Sequence, residues 1–123
     1  MRAFLVLLLQ AALAGPTQVP EVDVAALVSV LAKDPAPLVL DVRTPGEFTA
    51  GHVPGARNIP LGDLSAHLGD LEASKAAPIY VICESGGRSA KATRLLLDAG
   101  FKAPVNVAGG TGAWRTAGHP VEK

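Results

Sequence analysis

The fold is decided by the stretch Pro78-Ile79-Tyr80-Val81-Ile82-Cys83-Glu84-Ser85-Gly86-Gly87-Arg88-Ser89. Its first half is apolar and rich in β-branched residues, which predicts a strand ending at Cys83. Gly86 and Gly87 then indicate a tight loop, and residues 90–99 return to helical periodicity. In open parallel sheets the binding crevice lies where strands end, and the next helix directs its free N–H groups there. Cys83 is therefore a candidate thiolate nucleophile in an anion-binding loop.

Length and charge limit what such a site can serve. With 123 residues, 49% of them hydrophobic, the chain has room for one domain with a real core. Its formal net charge is zero and no basic run is present, which argues against nucleic acid or an acidic membrane surface as a partner. Small molecules or proteins are the expected partners.

The first fourteen residues are typical of a cleaved signal peptide. Arg2 is followed by the apolar run 3–9, and Ala12-Leu13-Ala14 forms a small-residue cleavage site. We expect residues 15–123 to form the mature single domain, exported to the periplasm if the source is bacterial and cytoplasmic if this segment is not a signal. The apolar run is too short to span a bilayer, which needs roughly 20 residues.

Cys83 is the only cysteine, so no internal disulfide can form. A lone thiol in an exported protein is buried and inert, paired with another molecule, or kept for its reactivity. Burial is the general tendency of free cysteine, but the loop context favours reactivity. We expect no metal, because His52, His67 and His119 are scattered and no second thiol is present. No cofactor is expected either.

The remaining elements are predicted from local signals. Asp23 caps a helix over residues 24–33, and the continuous apolar run in 37–43 indicates a buried strand. Thr44-Pro45-Gly46-Glu47 is a capping box. A lead-in with a short strand (17–22), a turn-rich connection (51–56), a short strand (57–59) and one or two leucine-rich helical pieces (61–72) complete this part of the chain.

Two polar residues in these elements are candidates for the site but have simpler interpretations. Asp41 lies near the end of a predicted buried strand, where a carboxylate needs a partner, so a structural role beside a neighbouring loop is favoured over a supporting role in the site. His52 lies in the turn-rich connection, where a hydrogen bond within the turn is favoured over catalysis.

Three blocks of the chain, in order, resemble those of the rhodanese-like sulfurtransferase domains. The first joins Leu40–Phe48 to Gly51–Pro60, the second is the loop Cys83–Ser89, and the third is Gly109–Trp114, in which Thr111 is a reasonable helix N-cap. The resemblance implies a rhodanese-like three-layer α/β domain, with a central, mainly parallel sheet and helices on both faces. It also implies that Cys83 carries sulfur.

The loop residues themselves suggest how a thiolate would form. The substrate-binding residues are expected to be Glu84, Ser85, Gly86, Gly87, Arg88 and Ser89. Gly86 and Gly87 allow successive N–H groups to converge on the sulfur, and Arg88 adds a permanent charge. Both effects lower the pKa of Cys83. The thiolate could then take sulfur from thiosulfate or a persulfide, as in a thiosulfate:cyanide sulfurtransferase, and pass it to a thiol or cyanide-like acceptor.

Two other functions fit parts of the pattern. Cysteine phosphatases and arsenate reductases use a wider loop, with five residues between cysteine and arginine, whereas four separate Cys83 from Arg88. A module that carries persulfide or binds a protein partner without turnover would share the same fold. It would not need the cysteine, the glycines and the arginine together.

Glu84 departs from the pattern expected for an anion site, because it places an acidic residue directly after the nucleophile. If its carboxylate faces inward, it opposes thiolate formation and binding of a dianion. If it faces outward, it selects partners by charge. We therefore expect thiosulfate to be a mediocre donor and a thiol persulfide or a protein persulfide partner to be the physiological one.

Overall fold

The computed structural model describes residues 18–123, which form one five-stranded sheet surrounded by helices. The predicted signal peptide, residues 1–14, lies outside the described residues. The strands are β1 (Glu21–Val22), β2 (Leu38–Asp41), β3 (Arg57–Asn58), β4 (Pro78–Ile82) and β5 (Ala103–Val107). The α-helices are α1 (Val24–Leu31), α2 (Pro45–Ala50), α3 (Gly87–Asp98) and α4 (Gly110–Thr116), and Leu61–Ser74 is a 3-10 helical segment.

The sheet is parallel throughout, with the strand order β1-β5-β4-β2-β3. The predicted strand before Cys83 is β4, which lies at its centre and pairs with β2 on one side and β5 on the other. The carboxyl ends of the three longest strands therefore meet at one edge, and Cys83 follows directly on β4. The predicted mainly parallel sheet is confirmed.

Helices cover both faces of the sheet because side chains alternate along each strand. Leu40 and Val81 face the 3-10 segment and α3, where they form a core with Leu64 and Leu96. The neighbouring strand positions face the opposite way, toward a second core that contains residues of α1 and α4: Val24, Leu27, Val39, Ile82, Val107 and Trp114. The predicted three-layer arrangement is present.

Local sequence signals predicted the starts of the first two helices. The Asp23 carboxylate accepts a hydrogen bond from the Ala26 N–H at 2.9 Å, which confirms the predicted cap of α1. The capping box is also confirmed, because the Thr44 hydroxyl and the Glu47 carboxylate each bond the other residue's backbone N–H. The leucine-rich segment 61–74 is interrupted at His67 and is 3-10 rather than α-helical.

One predicted cap is wrong. The last helix begins at Gly110 with Gly109 as its N-cap, so Thr111 lies inside the first turn. The reason is that the Thr111 hydroxyl has another partner and donates to the Cys83 carbonyl at 3.1 Å. In residues 18–123 no helix is long and apolar enough to cross a membrane.

A buried ion pair stands at the end of β2. The Asp41 carboxylate accepts hydrogen bonds from the Arg43 backbone N–H at 3.0 Å and from its guanidinium Nη2 at 2.8 Å. Both side chains are almost fully buried. Arg43 also donates to the Gly51 carbonyl at 2.8 Å, so the pair ties the strand end to the turn after α2. These contacts fit the structural role that the sequence favoured for Asp41.

Loss of the Asp41 charge is expected to destabilise the fold strongly. In Asp41→Asn an amide N–H₂ would face the guanidinium, and the buried cation would keep only the Glu84 carboxylate at 3.4 Å, which costs about 3 kcal/mol in the free energy of unfolding. Urea denaturation measures this cost. Glu72→Gln is the matched control, because the Glu72 carboxylate lies 3.7 Å from Lys75 Nζ at the surface, and its loss costs about 0.5 kcal/mol or less. Equal losses for the two variants would contradict the assignment.

Candidate active site

Cys83 lies at the base of a loop that places hydrogen-bond donors around its sulfur. The Gly86 backbone N–H donates to Sγ at 3.1 Å, and the Ser89 hydroxyl oxygen lies 3.3 Å from the same atom. Gly86 has φ +115°, a left-handed conformation that favours glycine and turns its N–H back toward the sulfur. Gly87 does not have this conformation, since it begins α3 with ordinary helical geometry.

The loop lowers the pKa of Cys83. Burial of the sulfur acts in the opposite direction and raises it. The hydrogen bonds from the Ser89 hydroxyl and from the backbone N–H groups of Ser89, Gly86 and Ser85 outweigh burial and favour the thiolate. The Gly86 N–H is the backbone donor seen at the sulfur, and the backbone N–H groups of Ser85 and Ser89 add to the lowering of the Cys83 pKa.

The first turn of α4 fixes the backbone beneath the nucleophile. The Thr111 N–H donates to the Cys83 carbonyl at 2.8 Å, and the Gly112 N–H donates to the Glu84 carbonyl at 2.9 Å. Gly110 approaches so closely that a Cβ there would collide with the Cys83 carbonyl oxygen. The block Gly109–Trp114 thus supports the Cys83 loop through backbone hydrogen bonds, which can form because the two backbones approach closely.

The hydrogen-bond donors around Cys83 Sγ form an anion-binding nest. The Arg88 guanidinium does not enter this nest as a free charge. Its guanidinium donates to the two Glu47 carboxylate oxygens at 2.8 and 2.9 Å in a bidentate pair. The hydrogen bond from Arg88 is the largest influence that lowers the pKa of Glu47 to about 2, and Glu47 in turn raises the pKa of Arg88. The thiolate of Cys83 also acts on Arg88 and raises its pKa further, so the cation lies within electrostatic reach of the sulfur.

Glu84 is held between two arginines. Its carboxylate pairs with Arg115 of α4 and lies 3.4 Å from the Arg43 guanidinium. The carboxylate and both arginines line a cavity of about 220 Å³ beside the loop. This cavity is lined by Arg43, Glu47, Ala50, Gly51, Glu84 and Arg115.

The contacts of His52 fit the structural role that the sequence favoured for it over catalysis. Its Nδ1 lies 2.8 Å from the Phe48 carbonyl, and its ring stacks on the Phe48 ring with centroids 3.7 Å apart. Within residues 18–123, no group of three His, Cys, Asp or Glu side chains is arranged to hold a metal ion.

Several residues at the site were not identified from the sequence. Asn106 of β5 is buried and contacts Ser89, while Glu47, Arg43 and Arg115 neutralise the charges of the loop. A signal existed for Asn106, because a polar residue inside the apolar strand β5 needs a buried partner. The ion pairs join residues far apart in the chain, and neither spacing nor periodicity indicated them.

The comparison with protein families agrees with this geometry. The model of the rhodanese-like domain matches residues 24–117, which include the whole sheet from β2 onward, the Cys83 loop and α4. The chain therefore belongs to the rhodanese-like domain family.

Named relatives and a solved structure point the same way. Thiosulfate sulfurtransferase 16, chloroplastic, of Arabidopsis thaliana is 41% identical over 98 residues, which cover 68% of this chain and 78% of that protein. A sulfurtransferase of Allochromatium vinosum is 32% identical, with 84% of this chain and 94% of that protein covered. The solution structure of a rhodanese-like domain from Anabaena sp. superposes with a TM-score of 0.76 at 34% identity, covering 85% of this chain and 80% of that one.

A side chain at Gly110 is expected to displace the Cys83 loop. Gly110→Ala places a Cβ against the Cys83 carbonyl and also strains a residue at φ +58°, which together cost about 2–3 kcal/mol in the free energy of unfolding. The loop would shift away from α4, and alkylation of Cys83 at pH 6 would slow. Denaturant melts and iodoacetamide kinetics measure the two effects.

Gly87→Ala is the matched control for stability. A Cβ at Gly87 would meet nothing within 4 Å, so the change is expected to alter the free energy of unfolding by about 0.5 kcal/mol or less. A Gly110→Ala variant as stable as Gly87→Ala would refute the close approach.

Proposed function

We propose that the protein is a sulfurtransferase that moves sulfane sulfur from a donor to a thiophilic acceptor through a persulfide on Cys83. The observation that carries this proposal is the convergence of the Gly86 N–H and the Ser89 hydroxyl on a buried sulfur at the end of the central strand. Such a site stabilises a thiolate and, after reaction, the negative outer sulfur of a persulfide.

Both steps of the sulfur transfer can proceed without a cofactor. The Cys83 thiolate attacks the outer sulfur of thiosulfate, a new S–S bond forms, and the old one breaks as sulfite leaves with the electron pair. An acceptor thiolate or cyanide then attacks the outer sulfur of the persulfide, and Cys83 leaves as a thiolate. Sulfite is a weak base, so its departure needs no general acid, and none is required among the groups around Cys83.

Loop size supports sulfur rather than phosphate as the transferred group. Four residues separate Cys83 from Arg88, and the Arg88 guanidinium is engaged by Glu47 instead of lying open to a phosphoryl oxygen. A phosphoryl group has three equatorial oxygens to bind in the transition state. The nest at Cys83 is better suited to a single anionic sulfur.

Cys83→Ser is expected to abolish thiocyanate production from thiosulfate and cyanide. In the wild type, mass spectrometry after thiosulfate treatment should show an adduct of about 32 Da, one sulfur atom, on the Cys83 peptide. The control is Cys83→Ser combined with Ser65→Cys, which places one thiol on the exposed 3-10 segment. Because that thiol has no nest, the double variant should stay inactive, and turnover by it would contradict the proposal.

The same assay separates an enzyme from a carrier. Many thiocyanate molecules per protein indicate catalysis, whereas one equivalent indicates a module that holds persulfide for a partner. We propose catalysis; the complete thiolate-stabilising groups of Gly86 and Ser89 argue against a module that only binds a partner, and the number of turnovers distinguishes an enzyme from a persulfide carrier.

The charge pattern beside the loop bears on the donor. Glu84 lies between Arg115 and Arg43, so these two positive charges beside the loop are already neutralised. A dianion such as thiosulfate gains little there. We propose that a thiol persulfide, on a small molecule or a protein, is the preferred donor.

Removal of the Glu84 charge is expected to improve thiosulfate as a donor. Glu84→Gln frees Arg115 and weakens the contact with Arg43, which should lower the KM for thiosulfate by about threefold. The exposed Glu72→Gln serves as the control and should leave the KM unchanged. An unchanged KM in Glu84→Gln would remove the basis for this choice of donor.

A further inference from the structure

The Ser89 hydroxyl has one proton and two neighbouring acceptors. Its oxygen lies 2.5 Å from Asn106 Oδ1 and 3.3 Å from Cys83 Sγ. Ser89 and Asn106 are both buried, on α3 and β5 respectively. A hydroxyl can donate only one hydrogen bond at a time, so the two acceptors compete for it.

The orientation of the Asn106 amide is fixed from its other end. Its Nδ2 donates to the Gly86 carbonyl at 3.3 Å. A flipped amide would place Oδ1 against that carbonyl, which is also an acceptor, and would lose the bond. Oδ1 therefore faces Ser89, and it can only accept.

These contacts favour different protonation states of the sulfur. When Cys83 is a thiol, its S–H can donate to Ser89 while Ser89 donates to Asn106, and all three groups are satisfied. When the thiol proton leaves for solvent water, Ser89 has to turn toward the sulfur. Asn106 Oδ1 then faces the Ser89 oxygen at short distance, two acceptors with no proton between them.

We propose that Asn106 is a positioning residue that competes with Cys83 for the Ser89 proton and thereby opposes ionisation of the thiol. The loop donors and Asn106 act in opposite directions, and the balance sets how much thiolate exists near neutral pH. A thiol whose pKa is lowered less also gives a stronger nucleophile once it is ionised.

The loop does not depend on Asn106 for its shape. The Gly86 carbonyl also accepts the Ala90 N–H at 3.1 Å, so Gly86 stays anchored to α3 when the Asn106 bond is lost. The charged groups paired around the loop lie on β2, α2, α3 and α4 and in the segments that follow β2 and β4, and the Asn106 variants leave them unchanged, since β5 itself carries no charged residue. They are Asp41, Arg43, Glu47, Glu84, Arg88 and Arg115.

The test is the pH dependence of Cys83 alkylation by iodoacetamide. Asn106→Leu keeps a similar volume without an acceptor, and Asn106→Ala is a smaller second variant. Both should shift the profile to lower pH, so that alkylation one pH unit below the wild-type midpoint is about fivefold faster. A profile that stays in place or moves to higher pH would overturn the proposal.

Two further variants separate competition for the proton from a general loss of structure. In a Ser89→Ala background the proton is absent, so Asn106→Leu should cause no further shift, and an equal shift there would also overturn the proposal. Thr93→Val is the matched control. The Thr93 hydroxyl donates to the Ser89 carbonyl at 2.7 Å, so this variant should lower stability without moving the profile.

The role of Asn106 rests on the proposed function of Cys83 as the nucleophile, but the alkylation test uses no sulfur donor. Alkylation reports the thiolate directly, whereas thiocyanate production reports sulfur transfer. A failure of one proposal is therefore distinguishable from a failure of the other.

Discussion

The structure depends on a buried arginine. Arg43 is only 2% exposed, and a guanidinium in such a place is stable only when its charge and its donors are matched. Asp41 supplies the counter-charge, Gly51 accepts a further hydrogen bond, and Glu84 adds a second carboxylate from the loop. One side chain thus fixes the relative positions of the β2 end, the turn after α2 and the residue that follows the nucleophile.

The site owes its chemistry to dipoles more than to net charge. Each cation near the loop has an anion in contact with it: Arg88 with Glu47, Arg115 with Glu84, and Arg43 with Asp41. What acts on the sulfur directly are N–H groups and one hydroxyl, whose directions are set by Gly86 and by the first turn of α3. Such short-range donors recognise a compact negative atom, and they attract a distant dianion weakly.

The sequence predicted the parts of this architecture that local physics determines. The cap of α1, the capping box of α2, the strand before Cys83 and the loop glycine at 86 all depend on residues within a few positions of one another. The partners that complete the site are distant in the chain: Arg88 and Glu47 are 41 positions apart, Glu84 and Arg115 are 31 apart, and Ser89 and Asn106 are 17 apart. Their proximity follows from the sheet order, which no local pattern specifies.

Thr111 shows why even a strong local signal can mislead. Threonine before a helix is a good N-cap, but here its hydroxyl bonds the Cys83 carbonyl, 28 residues away. The helix starts at a glycine instead, because at Gly110 any larger residue would collide with the backbone of Cys83 and Glu84. Tertiary contact therefore displaced the boundary.

The close approach of Gly110 to Cys83 also orders events during synthesis. A chain emerges from the ribosome amino end first, and the Thr111 and Gly112 N–H groups that hold the loop backbone are made after the cysteine. Until they are present, the carbonyls of Cys83 and Glu84 have no N–H partners from α4. The loop that presents the sulfur thus gains its full support only after nearly all of the domain has been translated.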